Sequence, residues 1–158
     1  MIRKRVLGVA SLTFVVDQAS KIYVVQYLNL KEKFSIDVLS PFLNFKMAWN
    51  KGINFGLLDS GGDFSRWSLI MLSFAISLGL LWWIRKSTNG IRQFCVALIV
   101  GGALGNVADR VFFGAVADFL NVSCCGVQNP FSFNVADIAI FLGAFALIIW
   151  DKGENEIT

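Results

Sequence analysis

The sequence predicts an all-α membrane protein: four transmembrane helices with a small β-containing extracytoplasmic loop region. Three observations carry that prediction. Of the 158 residues, 56% are hydrophobic and only 16% charged, against about 25% charged in a soluble domain. Four apolar stretches approach the roughly 20 residues that a helix needs to cross a hydrocarbon core of about 30 Å. None of them alternates like a barrel strand, which leaves helices to satisfy the backbone polar groups in lipid.

The first span covers residues 6–28 and is interrupted by Asp17 and Lys21. Its start, MIRKRVLGVASLTFVV, has the basic head and apolar run of a signal peptide. No A-x-A site follows, and DQASK continues on helical spacing, so the segment is read as a retained helix. The second span, residues 67–84, is bracketed by Arg66 and by Arg85 and Lys86. The third, residues 91–108, ends on Asp109 and Arg110; the fourth, residues 131–150, contains Asp137 as its sole charge. The four belong to a single membrane-embedded domain over residues 1–158.

Lysines and arginines set the orientation. Arg3, Lys4 and Arg5 precede the first span, and Arg85, Lys86 and Arg92 fill the connection after the second. Both groups belong in the cytoplasm, which makes both termini cytoplasmic. The outer loop, residues 29–66, holds Lys31, Lys33, Lys46, Lys51 and Arg66, nearly cancelled by Glu32, Asp37, Asp59 and Asp63. Within it LNFKMAWN alternates as a half-buried strand and NKGINFG supplies a turn. A loop of that length is a structured hairpin or a cradle for an extended substrate.

Several classes of function are excluded. No basic run or stripe suits nucleic acid. The absence of histidine removes Ser-His-Asp and Cys-His mechanisms. Three cysteines without C-x-x-C spacing do not make a zinc site. Cys95 is expected to pack in an apolar run, and Cys124 and Cys125 are adjacent in a loop. No metal or cofactor is expected.

The chemistry lies in the acids. The string VAD occurs three times and places Asp109, Asp118 and Asp137 in one stretch of an otherwise charge-poor chain. The topology gathers them near the outer leaflet together with Asp17. Asp109 ends the third helix, Asp118 lies on the following connection, and Asp137 sits about 9 Å inside the fourth helix at 1.5 Å per residue. A charge at such depth costs about 2.5–3.5 kcal/mol. For Asp17 an ordinary role suffices, because Lys21 follows at i+4; for Asp109, the adjacent Arg110 is placed to neutralise it or to bond nearby carbonyls. Asp118 and Asp137 have no cation close in sequence. Two such acids brought together share one proton, so that one acts as a base on water while the other polarises a carbonyl. The same pair would serve a proton- or cation-coupled transporter. Asn106 and Asn134 precede Asp109 and Asp137 by three residues and serve equally well as site amides or as interhelical glue. A serine-lysine site from Ser20 and Lys21 is weak, since neighbours on a helix point to different faces.

DQASK, NKGINFG, GGALGNVADR, VADF and FNVADIAI, in this order along nearly the whole chain, resemble lipoprotein signal peptidase, the signal peptidase II family of intramembrane aspartic proteases. The resemblance implies that Asp118 and Asp137 are the catalytic pair. It implies that Asp17, Lys21, Asn50, Gly52, Asn106, Asp109, Arg110 and Asn134 organise the site or bind substrate. The implied substrate is a prolipoprotein carrying diacylglycerol on its lipobox cysteine, cut before that cysteine, in the bacterial inner membrane and toward its outer face. The family's outer loop is a small sheet plus an amphipathic helix over the site. Asn54 departs from the small residue usual at its position. The expected partners are this substrate and membrane lipid, and the chain is expected to act as a monomer.

Overall fold

The computed structural model describes residues 4–52, 63–123 and 129–150. Arg3, Asn54, Asp59, Cys124 and Cys125 lie outside the described residues. Helix α1 (Lys4–Lys21) runs on into a π-helical stretch, Ile22–Tyr27, and is followed by the short α2 (Leu30–Lys33). Strands β1 (Ser35–Leu39) and β2 (Leu43–Asn50) form a hairpin. Helix α3 (Asp63–Trp83) ends in a 3-10 turn, Ile84–Lys86. Then come α4 (Gly90–Phe113), β3 (Val116–Val122) and α5 (Val135–Trp150).

A helix lies in each of the four apolar stretches, with moved boundaries. Helix α4 runs five residues past the expected end at 108, until Gly114 adopts a left-handed conformation (φ 78°) and caps it. Asn89 starts the same helix, its side chain accepting from the amides of Ile91 and Arg92. Helix α5 begins at Val135 rather than 131, because Phe133 is engaged with Leu120 of β3 through backbone hydrogen bonds. Asp137 is therefore in the first turn of α5, not a turn and a half inside it. Among the described helices, Asp63–Lys86 and Gly90–Phe113 are long and apolar enough to cross a bilayer; Val135–Trp150 is apolar but shorter.

The segment expected to be the outer loop supplies the expected strand, LNFKMAWN, as β2. Asp118 is not on a loop as expected from sequence. It lies on β3, which pairs antiparallel with β2 and completes a sheet ordered β1-β2-β3 from two separate connections. Ala117 and Phe119 of β3 are buried with Val24, Val25 and Leu30 beneath the sheet. Alternation along a strand then turns Asp118 to the other side.

Helix α4 is the hub. Two thirds of its apolar window (67%) is buried, against 17% for α3. Small residues let its neighbours in: a Cβ on Gly101 would stand 2.5 Å from the Ala10 carbonyl oxygen, and one on Gly102 would stand 2.6 Å from that of Ala136. Such stripes allow helices to pack where lipid removes the hydrophobic drive to associate. Val6, Ala10, Val96, Ala97 and Val100 fill the core between α1 and α4, and Cys95 is buried as expected. Outward, α3 and α5 present Met71, Leu72, Leu78, Trp82, Phe141, Phe145 and Ile148. An apolar exterior of this extent is suited to a hydrocarbon surrounding.

Candidate active site

The N-terminus of α5, the C-terminal part of α4, the end of α1 and strand β3 converge on a network of buried polar side chains. Asn134 sits at its centre and is completely buried. It is the N-cap of α5: its Oδ1 accepts from the amide of Asp137 at 2.9 Å, and its own amide donates to Asp137 Oδ2 at 3.2 Å. This is a reciprocal capping box with Asn and Asp in place of the more usual Ser and Glu. The Asn134 Nδ2 also donates to Asp118 Oδ1 at 2.7 Å and to Asn106 Oδ1 at 3.2 Å. One residue thus holds a carboxylate on β3 and a carboxylate on α5.

The remaining oxygens of those two acids are also engaged. Asn106 Nδ2 donates to Asp137 Oδ1 at 2.9 Å, and Asn50 Nδ2 donates to Asp118 Oδ2 at 3.2 Å. Asn50 closes β2 and its Oδ1 accepts the amide of Gly52 at 3.0 Å. Gly52 takes a φ of 144°, a region closed to most side chains, so the turn that aims Asn50 needs glycine there. Burial pushes the Asp118 carboxyl up to about 6, and the nearby negative charge of Asp137 adds to that; the donors Asn50 and Asn134 oppose it. A carboxyl so displaced retains a proton well above the usual carboxylate range.

A second layer lies beneath. Lys21 Nζ bridges Asp17 Oδ2 at 2.7 Å and Asp109 Oδ2 at 2.9 Å, and all three side chains are buried. The expected i+4 pair of Asp17 and Lys21 is present, but Lys21 also reaches across to α4. Of the two roles that the sequence left open for Arg110, the bond to a nearby carbonyl is the one present, and the cation bonded to Asp109 is Lys21. Successive residues on a helix diverge by about 100°, which turns Asp109 inward to Lys21 and sends Arg110 elsewhere. The Arg110 guanidinium donates to the Asn106 carbonyl oxygen at 3.3 Å, and its buried Nε has no partner among the described residues. It lies within electrostatic reach of Asp118, Asp137 and Asp109. Asp118 and Asp137 therefore have a cation nearby in space, although neither has one nearby in sequence.

The two lower carboxylates bind backbone as well as lysine. Asp17 Oδ1 accepts the amide of Ala136 at 2.9 Å, and Asp109 Oδ2 accepts the amide of Ala117 at 3.0 Å. These alanines are the residues just before Asp137 and Asp118. Gln18, not singled out from sequence, donates through Nε2 to Asp17, Asp109 and the Gly105 carbonyl at 3.0–3.2 Å. Its place beside Asp17 and one turn before Lys21 was the available signal. Ser20 is committed to the Asp17 carbonyl at 2.7 Å, and Lys21 to carboxylates, so these two form no serine-lysine pair.

All ten residues singled out from sequence thus lie in or beside one network: Asp118, Asp137, Asn134, Asn106 and Asn50 with Gly52 behind it, then Asp17, Lys21, Asp109 and Arg110. The profile of the Peptidase_A8 family, signal peptidase (SPase) II, matches residues 9–151. A lipoprotein signal peptidase of Methylobacterium radiotolerans is 41% identical over 140 residues, 87% of this chain and 80% of that one. One from Alteromonas mediterranea is 41% identical over 153 residues, 96% of this chain and 81% of that one. One from Aeromonas hydrophila is 42% identical over 154 residues, 96% and 90% respectively. Two solved structures of bacterial membrane enzymes are similar throughout. The first gives a TM-score of 0.76 at 26% identity, over 98% of this chain and 94% of that one. The second gives 0.78 at 27%, over 92% and 90%. By residue match along almost its whole length and by fold, the chain belongs to the signal peptidase II family.

Proposed function

We propose that the chain is an intramembrane aspartyl endopeptidase that removes the signal peptide from diacylglyceryl-modified prolipoproteins, with Asp118 and Asp137 as its catalytic pair. Residues 1–158 act as one peptidase domain, with four spans and the site toward the outer face of the bacterial inner membrane. Family membership supports signal-peptide removal from lipoproteins. The observation that carries the aspartyl chemistry is the joint hold of Asn134 on Asp118 and Asp137.

Asp118, held up at about 6 by burial, keeps the shared proton. Asp137, at the positive end of the α5 dipole, carries the negative charge and removes a proton from water. The hydroxide so formed adds to the carbonyl carbon before the lipidated cysteine. Asp118 donates its hydrogen bond to the developing oxyanion. Collapse of the tetrahedral intermediate breaks the C–N bond, and the proton gathered by Asp137 passes to the leaving amine. The water becomes the new carboxyl group of the signal peptide; no metal or cofactor takes part.

The experiment is mass spectrometry of a diacylglyceryl-modified precursor incubated with purified protein. A product beginning at the modified cysteine is expected from the wild type, and none from Asp118→Asn or Asp137→Asn. Substantial cleavage by either variant refutes the assignment. Proton or cation flux in proteoliposomes without hydrolysis would instead establish the transporter reading.

A further inference from the structure

Asp17 and Asp109 make mirrored contacts. Each accepts the backbone amide of the alanine that immediately precedes one of the paired acids: Ala136 before Asp137, and Ala117 before Asp118. These amides belong to two consecutive elements of different kind, the strand β3 and the first turn of α5. One ammonium group ties the two contacts together, Lys21 Nζ at 2.7 Å from Asp17 and 2.9 Å from Asp109. A third arm runs from Lys21 Nζ to Asn106 Oδ1 at 3.4 Å, which leaves the Asn106 Nδ2 facing Asp137. Gln18 braces the same two carboxylates from the side.

We infer that Lys21 is a positioning residue that sets the separation of Asp118 and Asp137. It does so through two acids and two backbone amides, without touching substrate. Drawing Asp17 and Asp109 onto one nitrogen fixes where Ala136 and Ala117 stand, and the next residue in each element follows. Main-chain anchors are the stiffest handle available, because an acid whose own backbone is pinned moves only by side-chain rotation. Small errors matter here: a displacement of about 1 Å in a reacting group costs about 100-fold in rate. The arrangement also accounts for two acids against one base in a buried layer, since the surplus carboxylate oxygens are occupied by amides rather than left bare.

The inference rests on the dyad reading, and the experiment separates the two. Purified Lys21→Met and Lys21→Arg proteins are compared with wild type on a diacylglyceryl-modified precursor, with Asp118→Asn and Asp137→Asn alongside. Lys21→Arg keeps the positive charge that holds the layer together, but its larger planar head cannot sit where Nζ does without moving the two acids apart. Both Lys21 variants are expected to lower kcat by at least 30-fold, about the scale of a sub-ångström misplacement, with KM within about twofold because no substrate contact is lost. A pH profile adds a readout that mere scaffolding would not change. Lys21 faces Asp17, Gln18, Asp109 and Asn106, and the dyad faces Arg110 and Asn50. Removing the Lys21 charge in Lys21→Met moves the alkaline limb of kcat/KM upward, because that charge favours ionised Asp118. Wild-type kcat in Lys21→Arg, with the two Asp→Asn proteins inactive, overturns the positioning role alone. Activity in Asp118→Asn or Asp137→Asn overturns the dyad itself. If Lys21→Met does not fold, the Lys21→Arg result decides.

Discussion

Asn134 and Asp137 cap each other: the Asn134 Oδ1 accepts the Asp137 amide at 2.9 Å, and Asp137 Oδ2 accepts the Asn134 amide at 3.2 Å. The proposed catalytic Asp137 is thus also the N3 residue of its helix, and one of its oxygens is fixed by a contact within its own turn. Asn134→Ala removes the cap, which by itself costs about 1–2 kcal/mol. It also releases Asp118 Oδ1 and Asn106 Oδ1 from the Nδ2 that joins them. Loss of activity is expected to exceed loss of stability: a drop in kcat of about 100-fold in protein that still unfolds cooperatively, on the scale set by misplacing one reacting group. Ser at this position restores the cap but not the bridge to Asp118. Asn134→Ser is therefore expected to regain stability and not rate, which thermal unfolding and kinetics on one preparation will distinguish.

The charge state of Asp118 gives a pH dependence with a defined sign. Its folded-state value of about 6 lies above the 3.8 of a free carboxyl. The protonated form is the working one in the proposed mechanism, so Asp118 sets the alkaline limb and kcat/KM declines tenfold per unit above about pH 6. Bound substrate excludes water and adds to the desolvation that already raises the group. The corresponding limb of kcat is expected at higher pH than that of kcat/KM. Coincident limbs, or a rate that climbs through pH 6, would place the proton elsewhere.

The same shift makes a stability prediction. Between pH 3.8 and about 6 the folded chain binds more protons at Asp118 than the unfolded chain, so stability falls as pH rises through that window. Above it the cost is fully present. Asp118→Asn cannot ionise and escapes this cost, less about 1 kcal/mol for the acceptor that one of Asn50 and Asn134 loses. A net gain of about 1–2 kcal/mol at pH 8 is expected, and none at pH 3.5, in a protein without activity. Thermal unfolding at the two pH values measures the difference.

The parts of this arrangement legible in sequence are those that depend on composition and on helical period. The four apolar stretches and the half-buried LNFKMAWN strand follow from such patterns. The isolation of Asp118 and Asp137 from cations in sequence picked out the pair that Asn134 joins. Strand β3 was not legible: VADFLNV is buried along most of its length, which removes the alternation that marks a strand. The partner of Asp109 was not legible either. Sequence proximity offered Arg110, whereas the cation in contact with it comes from α1, 88 positions earlier, through a crossing that only packing determines. Nor do backbone donors have a sequence signature, so the roles of Ala117 and Ala136 emerge only once the elements are assembled.

That assembly depends on Gly105, which lets the α1 carboxylate come against α4. A Cβ at this position would stand 2.5 Å from Asp17 Oδ2 and 3.2 Å from its carboxyl carbon. Asp17 cannot yield: Lys21 Nζ holds the same oxygen at 2.7 Å, Gln18 holds it at 3.1 Å, and the Ala136 amide holds the other at 2.9 Å. In an unobstructed helix, Gly→Ala stabilises by about 0.5–1 kcal/mol. Gly8 of α1 provides that reference, with nothing within 4 Å of its would-be Cβ. Gly8→Ala is therefore expected to raise the unfolding temperature slightly and leave kcat alone. Gly105→Ala is expected to lower stability by about 1–3 kcal/mol, the range for an overpacked site. It should also lower kcat, because the displaced Asp17 takes the Ala136 amide, and with it Asp137, out of place. Equal stability and equal rates in the two glycine variants would show that the Asp17 layer tolerates movement and does not set the geometry above it.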